Sequence, residues 1–113
     1  MPFINVKTNV SVPDDSKTAI KSALGQAITA IPGKSERWLM VGIEPEYSLY
    51  FQGTDSPAAI AEVSVYGHPS PDAMNSLTGK ITDILSDTLA LSPDRIYVSY
   101  AETDNWGWNG CNL

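Results

Sequence analysis

The chain has 113 residues, 42% of them hydrophobic, which suits one domain built around one modest core. Its net charge of −6, with no cluster of Lys or Arg, argues against nucleic acid and anionic membrane as partners, and no apolar run is long enough to span a bilayer. A single cysteine, Cys111, excludes an internal disulfide and a cysteine-based zinc site.

The chain opens Met1-Pro2-Phe3-Ile4-Asn5-Val6. A small residue after the initiator normally lets Met1 be removed, which would leave Pro2 as a secondary amine. An α-amino group, with an ordinary pKa of about 7.7–8.0, is close enough to neutrality to be tuned into a base. Pro2 to Val10 reads as the first strand, with Ile4, Val6 and Thr8 on one face and Phe3, Asn5 and Lys7 on the other. The amine would then sit on a rigid element; the bland reading is an ordinary exposed terminus. Asn9-Val10-Ser11 matches a glycosylation sequon, but no basic n-region and apolar h-region precede it, so export by the ordinary route is not expected and the match is read as chance.

Val12-Pro13-Asp14-Asp15 starts a helix, with Asp14 as its expected N-cap. Ile20, Leu24, Ala27, Ile28 and Ile31 form its apolar stripe, and Pro32-Gly33 ends it. Trp38 to Ile43 is the second strand, broken by Glu44-Pro45-Glu46. Ser48 to Phe51 is a short strand candidate, and Ala59 to Tyr66 is a longer strand ended by Gly67. Ser70-Pro71-Asp72 combines a capping serine, a first-turn proline and an acid, and so starts the second helix, whose stripe is Leu77, Ile81, Ile84, Leu85 and Thr88. Ser92-Pro93-Asp94 turns the chain into a last main strand, Arg95 to Ala101. The tail, Asn105 to Gly110, reads as a turn or hairpin.

The chain repeats itself. A shift of 57 residues carries Ile20, Leu24 and Ile28 onto Leu77, Ile81 and Leu85, Val6 onto Val63, Ser35 onto Ser92 and Val41 onto Val98. Two tandem β-α-β units follow, giving an α/β (α+β) fold with a four-stranded sheet and both helices on one face. The other face then mixes apolar residues (Phe3, Trp38, Met40, Ile60, Tyr66, Tyr97) with polar ones (Asn5, Lys7, Glu62, Ser64, Ser99). That mixture suits a partly wet interface between subunits, so an oligomer is expected.

With these features in place the whole chain resembles the macrophage migration inhibitory factor family of the tautomerase superfamily. The resemblance rests on Met1-Pro2, Thr8-Asn9-Val10, Gly33-Lys34 and Phe51-Gln52-Gly53. Its most specific block is Ser92 to Val98 followed by Asn105-Trp106-Gly107-Trp108-Asn109-Gly110. It implies a homotrimer with three sheets around a central channel and a pocket at each subunit interface. It also implies keto–enol tautomerisation, without a cofactor or metal, of small α-keto acids such as phenylpyruvate and of dopachrome-like compounds. Pro2 matches the proton-transferring proline. Lys34 matches the lysine that meets a substrate carboxylate. Tyr66 stands where a backbone N–H faces the ligand, and Tyr97 matches a tyrosine from the neighbouring subunit. Ser99 stands where many members have Asn, Trp106 where many have Val, and Trp38 at an aromatic rim position. Tyr66 and Trp106 make the pocket wall bulkier, and Ser99 shortens one hydrogen-bonding arm. Ala58-Ala59-Ile60-Ala61 replaces the Cys-x-x-Cys of the animal cytokines, so thiol-disulfide activity is not expected. A cytoplasmic place, or secretion by a non-classical route, is what the resemblance implies.

Tautomerisation takes one proton off carbon and puts another on oxygen, so it needs a base near neutral pKa and a group to hold negative charge. Burial among Phe3, Tyr66 and Trp106, and the charge of Lys34, would both lower the pKa of the Pro2 amine. By sequence alone Lys34 reads first as a cation complementing a helix C-terminus, a role compatible with the carboxylate contact. Tyr97, Tyr100, Trp106 and Trp108 read first as packing groups, His68 stands alone without metal-binding partners, and Asp14, Asp15 and Asp72 read as helix-start residues. Two other classes remain open: a ferredoxin-like sensor module, which has no use for a free Pro2 amine, and a cytokine-like interaction protein with a vestigial pocket and an unknown cell-surface partner.

Overall fold

A computed structural model describes residues 1–113. Strands β1 (Pro2–Thr8), β2 (Met40–Glu44), β3 (Ala59–Tyr66) and β4 (Ile96–Thr103) form one sheet in the order β2-β1-β3-β4. Helix α1 (Asp14–Ala27) connects β1 to its parallel neighbour β2, and α2 (Pro71–Leu89) connects β3 to its parallel neighbour β4. The two units join through the antiparallel pair of β1 and β3, in which Pro2 lies opposite Val65 and Lys7 opposite Ile60. This is the tandem β-α-β arrangement that the 57-residue shift predicts.

The core lies between the sheet and the helices. Alternate residues of β1 (Ile4, Val6, Thr8) and β3 (Ala61, Val63, Val65) are buried on the helical side. The helices answer with the repeated positions: Ile20, Leu24 and Ile28 from the first unit, and Leu77, Ile81 and Leu85 from the second, are all fully buried. Each such side chain contributes about 1.5–3 kcal/mol through burial. Thr8 is the one polar core residue, and its hydroxyl donates to the Ala58 carbonyl at 2.8 Å.

Several local expectations need correction. Asp14 is the first helical residue and not the N-cap; Pro13 occupies the cap position in an extended conformation, with no side-chain cap bond. Proline lacks an N–H and its φ suits the turn into a helix, so the chain enters α1 without a capping oxygen. By contrast Ser70 caps α2 as expected, accepting from the Ala73 N–H at 3.1 Å. The α1 helix ends at Ala27 and tightens into a 3-10 turn, Ile28–Ala30, before Pro32 and Gly33. The second strand begins at Met40, because Glu36–Trp38 forms another 3-10 turn that takes Trp38 off the sheet. Ser48 to Phe51 is not a strand. Phe51 and Thr54 exchange backbone hydrogen bonds of 2.9 and 3.1 Å around Gln52 and Gly53, both at positive φ, so the segment closes on itself. The last main strand runs on to Thr103, and the first stops at Thr8.

The tail forms a hairpin of β5 (Gly107–Trp108) and β6 (Cys111–Asn112) around Asn109-Gly110, with φ of 53° and 86°. Asn-Gly favours this left-handed pair of residues. No helix is long and apolar enough to cross a membrane. The open sheet face carries Phe3, Asn5 and Lys7 beside Met40, Ile60, Glu62 and Tyr97, as the alternation predicts. Its polar groups pair with one another: Lys7 with Glu62 at 2.9 Å, and Asn5, as donor, with Glu44 at 2.8 Å.

Candidate active site

The first residue of β1 opens into a hollow of about 400 Å³ at one end of the sheet. Three stretches of chain line it: Met1 to Phe3, Arg37 to Met40, and Trp106 to Trp108. The position of Pro2 follows from the ladder, since β1 has a neighbour on each side and Pro2 pairs opposite Val65. The 3-10 turn holds Trp38 against Trp108 of the tail hairpin, edge to face, with ring centroids 5.1 Å apart. Contacts of this kind add about 0.5–1.5 kcal/mol beyond burial. So the hairpin is fastened to the rim of the hollow by its own tryptophan.

Lys34 reaches the same end of the sheet. Gly33, at φ 83°, turns the chain after the 3-10 turn, and the Lys34 N–H bonds the Ile31 carbonyl at 3.1 Å. The Lys34 Nζ then donates to the Tyr66 carbonyl at 2.9 Å. Tyr66 in turn donates its own N–H to the Met1 carbonyl at 3.1 Å. Partial burial holds the pKa of the Met1 amino group below its ordinary value, and the nearby charge of Lys34 and its hydrogen bond push it the same way.

Of the sequence-predicted residues, the structure brings together Pro2, Trp38 and Trp106 on one hollow, with Lys34 and Tyr66 linked to it through Met1. Tyr97 and Ser99 are not with them. Tyr97 pairs with Ile60, and Ile60 with Lys7, five residues along β1 from Pro2. At about 3.3 Å per residue that is some 16 Å of strand. Tyr97 is 59% exposed and packs edge to face on Phe51 at 4.7 Å, beside a small apolar recess of about 100 Å³ that includes Leu49, Tyr50 and Arg95.

Two features escaped the sequence reading. Arg37 lies on the wall of the Pro2 hollow, its guanidinium over the Trp38 ring at 5.1 Å. Reading Trp38 as a strand residue left Arg37 without a place; the three residues of turn put both on one wall. His68 is not alone: its Nε2 lies 2.8 Å from the Asp104 carboxylate and its Nδ1 3.6 Å from Glu102. No local spacing signals this, because the acids arrive on β4 and the loop after it.

A four-stranded sheet of two tandem β-α-β units, with a proline opening its first strand at an aromatic hollow, is the architecture of the tautomerase superfamily. The chain belongs to the macrophage migration inhibitory factor family: the family profile described as "Macrophage migration inhibitory factor (MIF)" matches residues 1–113. Macrophage migration inhibitory factor of Mus musculus is 32% identical, covering 97% of this chain and 96% of its own. The crystal structure of Leishmania major MIF2 superposes with a TM-score of 0.94 at 30% identity, covering 100% of this chain and 97% of that one. The fold alone is shared with macrophage migration inhibitory factor of Toxoplasma gondii, TM-score 0.90 at 17% identity, covering 98% of this chain and 99% of that one. Membership of this superfamily supports an enzyme of the isomerase type.

Proposed function

We propose that this protein is a keto–enol tautomerase of small aromatic α-keto acids, phenylpyruvate in type and extending to dopachrome-like compounds, with the Pro2 amine as general base once Met1 is removed. The observations that carry this reading are Pro2 on the wall of the aromatic hollow and Lys34 close enough to the preceding Met1 amine to lower, together with partial burial, that amine's pKa. The Met1 carbonyl, accepting from the Tyr66 N–H next to the Lys34 ammonium, stands where a carboxylate oxygen of a bound keto acid would be received. Removing Met1 frees that donor and exposes the Pro2 lone pair in one step. The amine then takes a proton from the carbon beside the substrate carbonyl, while the enolate oxygen takes one from solvent. Lys34 and the Tyr66 N–H hold the carboxylate, and the aromatic walls exclude water from the ring.

Within one chain the site lacks the groups at Tyr97 and Ser99. The proposed functional unit is a homotrimer in which a neighbour brings them to the hollow; the mixed open sheet face, where Met40 is 67% exposed, is suited to such an interface.

The test compares three homogeneous samples, each verified by intact mass. Protein beginning at Pro2 is expected to have the highest kcat/KM for phenylpyruvate, rising with pH through the lowered amine pKa and then levelling. Pro2→Gly keeps an amine, but a primary and more mobile one, and falls below it. Met1-retained protein has an amide at Pro2 and loses about 10²–10⁴-fold, the usual worth of a general base. Full activity in the Met1-retained sample would place the proton transfer elsewhere and end this reading.

A further inference from the structure

The hollow carries a charge that the reaction at Pro2 does not use. Arg37 lies on its wall, yet its guanidinium is paired with no carboxylate. This is notable in a chain where 13 acidic residues outnumber 7 basic ones. Its neighbour Glu36 is turned away, with its carboxylate packed on Gly25 of α1, where a Cβ would collide with it. What Arg37 does contact is the face of Trp38, at 5.1 Å. A guanidinium beside a ring and without a carboxylate partner keeps N–H donors for a ligand, and its fork can receive a carboxylate through two parallel bonds. Lys34 is the cation linked to Met1 through Tyr66; Arg37 is a second, unpaired one, on a hollow that Trp38, Trp106 and Trp108 also line.

We propose that Arg37 is a specificity-determining residue that receives a second carboxylate at the far end of the substrate, so that the preferred substrates are α-keto diacids with an apolar or aromatic middle. This rests on the tautomerase reading of Pro2 for the end of the substrate that reacts. A monoacid such as phenylpyruvate fills the Lys34 end and the aromatic middle and leaves the Arg37 edge to water. Because Arg37 is exposed, water competes with the second carboxylate, and the preference is moderate in size.

The experiment compares phenylpyruvate with 4-carboxyphenylpyruvate, by turnover and by equilibrium quenching of tryptophan fluorescence, in the unsubstituted protein, Arg37→Gln and Arg37→Lys. The diacid is expected to have a kcat/KM about ten-fold higher, as one charged hydrogen-bonded pair supplies, carried by KM. Arg37→Gln removes that advantage; Arg37→Lys keeps part of it, because the charge remains without the fork. No advantage in the unsubstituted protein, or one that survives Arg37→Gln, overturns the proposal. Equal loss for both acids in Arg37→Gln also overturns it, since Arg37 would then only support Trp38. Tighter binding of the diacid that Arg37→Gln abolishes, in protein that turns over neither acid, would uphold Arg37 and defeat the tautomerase reading. Turnover of both acids at equal efficiency would do the reverse.

Discussion

Single side chains in this protein act mainly through backbone carbonyls and amides. Lys34 was readable from the sequence as a cation near a helix end, but its contact, the Tyr66 carbonyl, lies 32 residues away. The same holds for His68, whose surroundings only the folded chain reveals. Its hydrogen bond to Asp104 and the charge of Asp104 raise its pKa; desolvation opposes them, and Glu102 adds a lesser push upward. A histidine with a raised folded pKa adds stability that is fully present below its unfolded pKa, about 6.5, and that disappears as pH rises through the folded value. His68 is the one histidine of the chain, so its ring protons give a single titration by NMR. The midpoint is expected above the ordinary value, and Asp104→Asn should bring it down. A midpoint at or below the ordinary value in the unsubstituted protein would show that the Asp104 contact is not kept in solution.

At the level of elements, the helices and strands were legible because period and repeat coincide: Leu24 and Ile81 are buried at equivalent positions of two similar units. The segment between β2 and β3 lacks such a signal, and Ser48 to Phe51, a short strand candidate by sequence, forms no strand. Its order comes from two side chains outside it. The Asn9 amide nitrogen lies 3.0 to 3.2 Å from the carbonyls of Leu49, Asp55 and Ser56, while its oxygen accepts from the Ala58 N–H at 2.9 Å. Arg95 donates to the carbonyls of Phe51, Ser56 and Pro57. Contacts of this kind leave no periodicity, although Thr8-Asn9-Val10 and Ser92 to Arg95 stood out as motifs. They also occupy the amide of the Asn9 sequon. Asn9→Ala should cost about 2–3 kcal/mol, several shared hydrogen bonds at about 1 kcal/mol each, read as a lower urea midpoint with an unchanged slope. A loss under about 0.5 kcal/mol would mean that the loop is ordered without Asn9.

For the whole molecule, the sequence anticipated the layer architecture and the open face, and the candidate site only in part. Pro2, Trp38 and Trp106 converge because they sit at ends of elements on one side of the sheet. Tyr97 and Ser99 lie elsewhere on the sheet, and in the homotrimer proposed above a neighbouring chain would bring them to the hollow. Sedimentation at micromolar concentration is therefore expected to give about three times the chain mass of 12.2 kDa. A stable monomer would remove the shared pocket, and with it the reason to group Tyr97 with Pro2.

The placement of β1 has a consequence for motion. Chain termini ordinarily fray, but this one begins on an inner strand with β2 on one side and β3 on the other. Amide hydrogens of inner strands exchange with solvent only when large parts of a protein open together. The amides from Phe3 to Lys7 should therefore be among the slowest in the chain to pick up deuterium, while those at the Asn109-Gly110 tip exchange early. The amine proposed as the base would then be carried by the segment that opens least often.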